Sequence, residues 1–128
     1  MAGKKAGFYF NTFPKMGDNW WATQSLDLKP YILNFVDSPV GIQIVHRALA
    51  WTLFLMLIFM SVQFKKYYKK IPREFFMVKG LLLLQITLGI LTLLYVVPTA
   101  LASLHQVMGV LLFLSSINLL FELRRKAS

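Results

Sequence analysis

The chain has 128 residues, of which 57% are hydrophobic and 15% are charged, and its formal net charge is +9. A soluble domain averages about 45–50% apolar and about 25% charged residues, so this composition excludes an ordinary soluble protein. The length is that of a single domain at most. The absence of cysteine excludes disulfides, thiolate metal sites and thiol catalysis.

Residues 1–38 form a polar and aromatic segment with no membrane span. Together with Trp20 and Trp21, a set of apolar residues at helical spacing favours a short helix lying at the membrane surface. A loop packed over helix ends accounts for the same residues equally well. The residues at helical spacing are Leu28, Tyr31, Ile32, Phe35 and Val36.

Three apolar stretches follow and predict an all-α integral membrane protein. Residues 48–62 include only two polar side chains, and residues 80–102 include no charge; runs of about 18 or more such residues are typical of membrane spans. The tight connection at Pro98 predicts that the second and third spans form an antiparallel hairpin. The predicted segments are an outer loop at 1–38, spans at 39–64, 75–97 and 99–123, an inner basic loop at 65–74 and an inner basic tail at 124–128.

The basic residues predict the orientation of these spans. Six lie between residues 65 and 79, three lie in the tail, and none lies near Pro98. Basic residues concentrate on the cytoplasmic or matrix side of a membrane, so the C-terminus is expected there and the N-terminal segment outside. Because most of the excess charge borders the spans, it indicates membrane lipid rather than nucleic acid as the partner.

Two histidines lie inside predicted spans at matching positions. His46 follows Pro39 by seven residues, and His105 follows Pro98 by seven residues. At 1.5 Å per residue both imidazoles lie about 10 Å below the starts of two parallel helices. Ionisable residues inside a span are functional candidates, and two imidazoles at one depth can ligate one iron from opposite faces. Alternatively, each histidine hydrogen-bonds across a helix interface, and spacing alone does not distinguish haem from another ligand.

Small residues accompany both histidines. Ala50 and Gly109 each lie four residues after a histidine, on the same helix face, where they leave room for a flat macrocycle. Gly89 and Thr92 on the second span are expected to leave room on a third side of the macrocycle, and Arg47 suits a carboxylate partner such as a propionate. The predicted cofactor-binding residues are therefore His46 and His105 as iron ligands, with Arg47, Ala50 and Gly109 around them.

The other polar residues suggest structural roles. Gln43, Gln85 and Gln106 are expected to form interhelical hydrogen bonds. Glu122 is expected to pair with a basic residue three or four positions later, Arg125 or Lys126. The five acidic residues do not cluster, so no catalytic residue is expected in this chain.

Three motifs along the chain resemble the conserved segments of one known family. The run AGFYFNTFPKMG at residues 6–17 is similar to the family signature AGxxYNTFPxMG, with Phe10 in place of tyrosine. Residues 34–39, followed by Gln43, His46 and Arg47, resemble its N-x-x-(E/D)-(N/S)-P…VQF-x-HR segment. Residues 88–106 resemble its LGIxTLLxxVPxxLAxxHQ block. By these three motifs the chain resembles the haem A synthases.

The resemblance implies a fold of eight transmembrane helices in two four-helix bundles. This chain matches the C-terminal bundle, so its three helices form most of a four-helix haem-binding bundle, in which His46 and His105 match the pair that binds haem b. In the family, the N-terminal bundle holds the substrate haem O. The enzyme oxidises a methyl group of haem O to the formyl group of haem A for cytochrome oxidase. The lack of cysteine fits the mitochondrial or alphaproteobacterial type, in a mitochondrial or bacterial inner membrane.

The function expected from the resemblance is the haem b-binding C-terminal portion of a haem A synthase. The chain begins where the fifth family helix ends, so a fragment, a truncated gene product or a split protein completed by another chain is expected. Other implied partners are haem O synthase, cytochrome oxidase assembly factors and a second copy. Two alternatives are a three-helix cytochrome b-type membrane anchor of a respiratory complex and a haem-free membrane scaffold subunit.

Overall fold

Three long helices dominate the computed structural model, which describes residues 5–22, 26–67 and 71–127. Helix α1 spans Pro39–Tyr67, α2 spans Arg73–Leu94 and α3 spans Thr99–Ala127. Each is long and apolar enough to cross a membrane, and the described part of the chain contains no β-strand. The predicted all-α membrane fold is confirmed.

The segment before α1 is mostly irregular. It contains two short 3-10 helices, Ala6–Phe8 and Tyr31–Phe35, and the second coincides with the predicted surface helix. Asn34 explains why this turn is compact, because its buried side chain accepts from the Leu28 N–H and donates to the carbonyls of Leu28 and Tyr31. Such local side-chain bonds compete with a regular α-helix.

The second 3-10 helix lies directly against the start of α1. A Cβ atom built on Gly41 would lie 1.8 Å from the carbonyl oxygen of Asn34. Only glycine admits this approach, because any side chain at that position overlaps the backbone. Gly41 therefore fixes how the N-terminal segment packs on α1.

Helices α2 and α3 form the predicted antiparallel hairpin, with a turn that begins earlier than expected. Helix α2 ends at Leu94 because Val96 and Val97 both adopt the left-handed conformation, with φ of 60° and 57°. Their N–H groups donate to the carbonyls of Leu93 and Thr92. Two consecutive left-handed residues reverse the chain before Pro98, although β-branched residues rarely adopt this conformation.

Two buried clusters hold the elements together. At the basic end of the bundle, all three helices contribute to one cluster, and at the opposite end the N-terminal segment packs on α1. The cluster at the basic end contains Leu57, Phe64, Phe75, Leu82 and Leu119; the cluster at the opposite end contains Met16, Ala22, Leu26, Val40 and Ile44.

Glu122 and Arg125 of α3 form the predicted ion pair, with 2.8 Å between the carboxylate oxygen and the guanidinium nitrogen.

Candidate functional site

The two histidines meet near the starts of α1 and α3. The ring centroids of His46 and His105 are 6.2 Å apart, and the ring planes are inclined by 75°. Their similar height agrees with the equal spacing of each histidine from the proline at the start of α1 or just before α3. The structure thus brings together the pair that the sequence placed at one depth.

The separation of the rings suits a metal held between them. Metal–imidazole bonds of about 2.0–2.1 Å place two nitrogens on opposite sides of a metal about 4 Å apart, and so place the ring centroids about 6 Å apart. The angle between the two ring planes can change at little cost, because the χ2 torsion of histidine has a broad range of low-energy values. No group of three or more His, Cys, Asp or Glu residues within the described ranges can hold a metal ion. Two imidazoles alone suit a metal whose other ligands come from a macrocycle.

Helix α2 positions His105 from the side. A Cβ atom on Gly89 would lie 3.0 Å from Cε1 of His105, so the imidazole packs against the helix backbone at this glycine. The Gln85 Nε2 atom lies 3.4 Å from the Nε2 atom of His105, which makes Gln85 the interhelical partner that the sequence predicts. A Cβ atom on Gly109 would lie 3.2 Å from the same Gln85 nitrogen. Gly109 therefore makes room for the Gln85 amide. That Gly109 and the half-buried Ala50 leave space for a macrocycle stays a prediction.

Arg47 holds the N-terminal loop, residues 10–17, over the end of the bundle where the two histidines lie. Its Nη1 donates to the carbonyls of Pro14 and Lys15 at 3.2 and 3.0 Å. Its Nη2 donates to those of Phe10 and Thr12 at 3.1 and 2.9 Å. A guanidinium has five N–H donors, so only the Nε donor is left for a propionate, and that pairing stays a prediction.

Two amides complete the attachment of this loop. Gln43 donates to the Phe10 carbonyl at 3.0 Å, so its partner is the loop rather than another helix as expected. Asn11 donates to the carbonyls of Gly7 and Leu93 at 2.8 and 2.9 Å. Sequence reasoning singled out neither Asn11 nor the loop contacts of Arg47, although the NTFP run within the first motif marks the place. Gln106 is exposed and lies outside this network.

Unsatisfied polar atoms concentrate around the histidine pair. Among the described residues, the buried side-chain atoms without a hydrogen-bond partner are Gln43 Oε1, Arg47 Nε, Gln85 Oε1 and His105 Nδ1. Buried polar groups normally have partners. All four atoms belong to the site or to the residues that hold its loop. The ring nitrogen of His105 suits a metal and the Nε donor of Arg47 suits an anionic substituent, whereas the two amide oxygens need a hydrogen-bond donor. The donor set therefore fits a haem.

Comparisons with known proteins find a family model and several curated relatives that are similar to this chain. A family model described as cytochrome oxidase assembly protein matches residues 1–117. "Heme A synthase COX15" of Saccharomyces cerevisiae is 35% identical over 140 residues, which cover 98% of this chain and 29% of the yeast protein. The protein of the same name from Arabidopsis thaliana is 36% identical over 130 residues, covering 100% of this chain and 28% of its own length.

A bacterial relative gives a similar result. "Heme A synthase" of Nitrosospira multiformis is 36% identical over 128 residues, covering 98% of this chain and 36% of the bacterial protein. The chain thus spans about a third of the length of the curated relatives it matches. No solved structure matches it significantly.

Proposed function

The chain belongs to the cytochrome oxidase assembly protein family, and on that premise we propose that it is the haem b-binding C-terminal portion of a haem A synthase. The observation that carries the proposal is the 6.2 Å separation of the His46 and His105 rings. The family match favours this function over a cytochrome b-type anchor or a haem-free scaffold.

His46 and His105 would hold the haem iron through their imidazole nitrogens. Gln85 orients the His105 imidazole from α2, and Gly89 sets how closely that ring approaches the helix. Such outer partners fix the orientation and tautomer of a ligating histidine. The Nε donor of Arg47 is buried without a partner and is the group we assign to a propionate, while Ala50 and Gly109 lie one turn below the ligands.

Bound haem supplies one-electron redox chemistry. We propose that in the whole synthase this portion serves electron transfer during oxidation of haem O, which binds outside these 128 residues. The substrate-binding bundle, in the same protein or another chain, is the partner that this role requires. Haem O synthase, cytochrome oxidase assembly factors and a second copy are further proposed partners.

The charge distribution supports an orientation for this integral membrane protein. With the basic end of the bundle on the matrix or cytoplasmic side, the histidine pair and its loop lie near the opposite surface of a mitochondrial or bacterial inner membrane. Fusing a reporter enzyme to the C-terminus tests this assignment, because the reporter should be active on the cytoplasmic or matrix side.

Haem titration of the purified chain in detergent tests the proposed ligands. We expect reduced-minus-oxidised spectra of a six-coordinate haem for the wild type, and altered spectra for His46→Ala and for His105→Ala. Added imidazole should restore the six-coordinate spectrum in variants that remain helical by circular dichroism. A wild-type spectrum that neither substitution changes rules out the ligand assignment.

Two glycines of α2 provide a matched pair of variants. Gly89→Ala introduces a methyl group 3.0 Å from the His105 ring, whereas a Cβ atom on Gly80 meets nothing within 4 Å. Gly89→Ala should therefore shift the haem spectrum or lower haem affinity, and Gly80→Ala should leave both unchanged. Equal behaviour of the two variants contradicts the contact between α2 and His105.

A further inference from the structure

A groove lies between α1 and α2 near the basic end of the bundle, away from the histidines. Its volume is about 240 Å³. Apolar side chains line most of it, among them Phe54 and Ile58 of α1 and Leu83 of α2. Lys65, near the end of α1, and Lys79, near the start of α2, also line it, toward the basic end of the bundle.

The two lysines have no counter-charge in the described part of the chain. Both are exposed, and neither forms an ion pair with a described residue. The sequence around them is strongly basic, with six basic residues and one acidic residue between 65 and 79. This groove has apolar walls and ends at two ammonium groups without a counter-charge. Such a groove matches a molecule with a hydrocarbon chain and an anionic headgroup.

We propose that this groove binds one anionic phospholipid. An acyl chain would lie along the apolar walls, and the headgroup phosphate would lie between Lys65 and Lys79. Basic pockets between transmembrane helices are known to select anionic headgroups in this way. Neither histidine lines this groove, so it is a different site from the one described above.

Charge favours a lipid over a protein occupant. A helix from a second copy would enclose the ammonium groups of Lys65 and Lys79, and burial of an unpaired charge is costly. A second copy would bring mainly further positive charge, since each chain has 14 basic and five acidic residues. A phosphate at the membrane surface compensates both lysines without that cost.

Native mass spectrometry of the whole chain in a neutral detergent tests the proposal. Phosphatidylglycerol and phosphatidylcholine with identical acyl chains are added separately. We expect one phosphatidylglycerol molecule to be retained in preference to phosphatidylcholine. The double variant Lys65→Gln, Lys79→Gln should lower the affinity for phosphatidylglycerol roughly 10- to 30-fold.

Lys66→Gln is the matched control, because the Lys66 ammonium lies 5.1 Å from the Tyr67 ring centroid and does not line the groove. This variant removes one charge from the same helix end and should retain the lipid preference. Equal retention of the two lipids by the wild type overturns the proposal, even if a variant does not fold. An equal loss of phosphatidylglycerol affinity in Lys66→Gln and in the double variant also overturns the proposal. Detection of dimers that carry no bound lipid overturns it as well.

Discussion

The hydrogen bonds of Arg47 predict that this residue keeps the N-terminal loop closed. Its four N–H···O contacts measure 2.9 to 3.2 Å, and a hydrogen bond to a charged group contributes about 1.5–3 kcal/mol net. Arg47→Lys retains the charge but replaces a planar fork by a single ammonium, which cannot reach carbonyls spread from Phe10 to Lys15. Loss of two bonds at the lower value costs about 3 kcal/mol, or roughly a 100-fold increase in the open loop.

Trypsin cleavage after Lys15 measures that opening. The Lys15 carbonyl accepts from Arg47 and from the Thr12 hydroxyl, so cleavage requires the loop to leave its closed position. When opening is fast relative to cleavage, the rate follows the population of the open form. Arg47→Lys should therefore raise the rate of cleavage after Lys15 roughly 100-fold.

The matched control is Arg73→Lys, which makes the same substitution at an exposed position at the start of α2. Its rate of cleavage after Lys15 should equal that of the wild type. Mass spectrometry of the fragment that begins at Met16 distinguishes this cut from others. An unchanged rate in Arg47→Lys refutes the reasoning that these carbonyl bonds hold the loop.

Three further predictions concern the packing of the N-terminal segment, the hairpin turn and the histidine site. Gly41→Ala should lower the free energy of unfolding in detergent by about 3 kcal/mol, because the added methyl group overlaps a backbone oxygen. The control Gly80→Ala places its methyl group in open space and should not lower the free energy of unfolding. Val96→Asn should raise the free energy of unfolding by about 1 kcal/mol, since asparagine tolerates the left-handed conformation, and a decrease would contradict the φ of 60°. Gln85→Leu should lower haem affinity about 10- to 100-fold in the same titration, and unchanged affinity would contradict its role in orienting the ligand.

Much of the helical framework was predictable because it depends on local patterns. Hydropathy alone predicted three spans, and the Glu122–Arg125 pair follows from their spacing on one helix. The end of α2 was placed three residues too late, at 97 instead of Leu94. Hydropathy does not report that Val96 and Val97 leave the helix, because both are apolar and only their backbone conformation ends it.

The contacts of the N-terminal loop were not predictable in the same way. Arg47 lies 32 to 37 residues from the carbonyls it binds, and the loop has no periodicity that indicates a partner. Gln43 was expected to reach another helix, yet it binds the Phe10 carbonyl. A polar residue in a span indicates that a partner is needed, but not which partner.

The order of apolar stretches and prolines in this small, apolar and basic chain determined, by itself, that it has three helices long and apolar enough to cross a membrane and that His46 and His105 lie at matching positions in two of them. These properties follow from hydropathy and from the constant rise per residue, which act along single helices. Only the tertiary structure decided that the Gln85 amide takes the space beside Gly109 and that Arg47 closes a loop. The rotation of each helix about its axis decides which residues meet, and that rotation depends on packing between segments far apart in the chain.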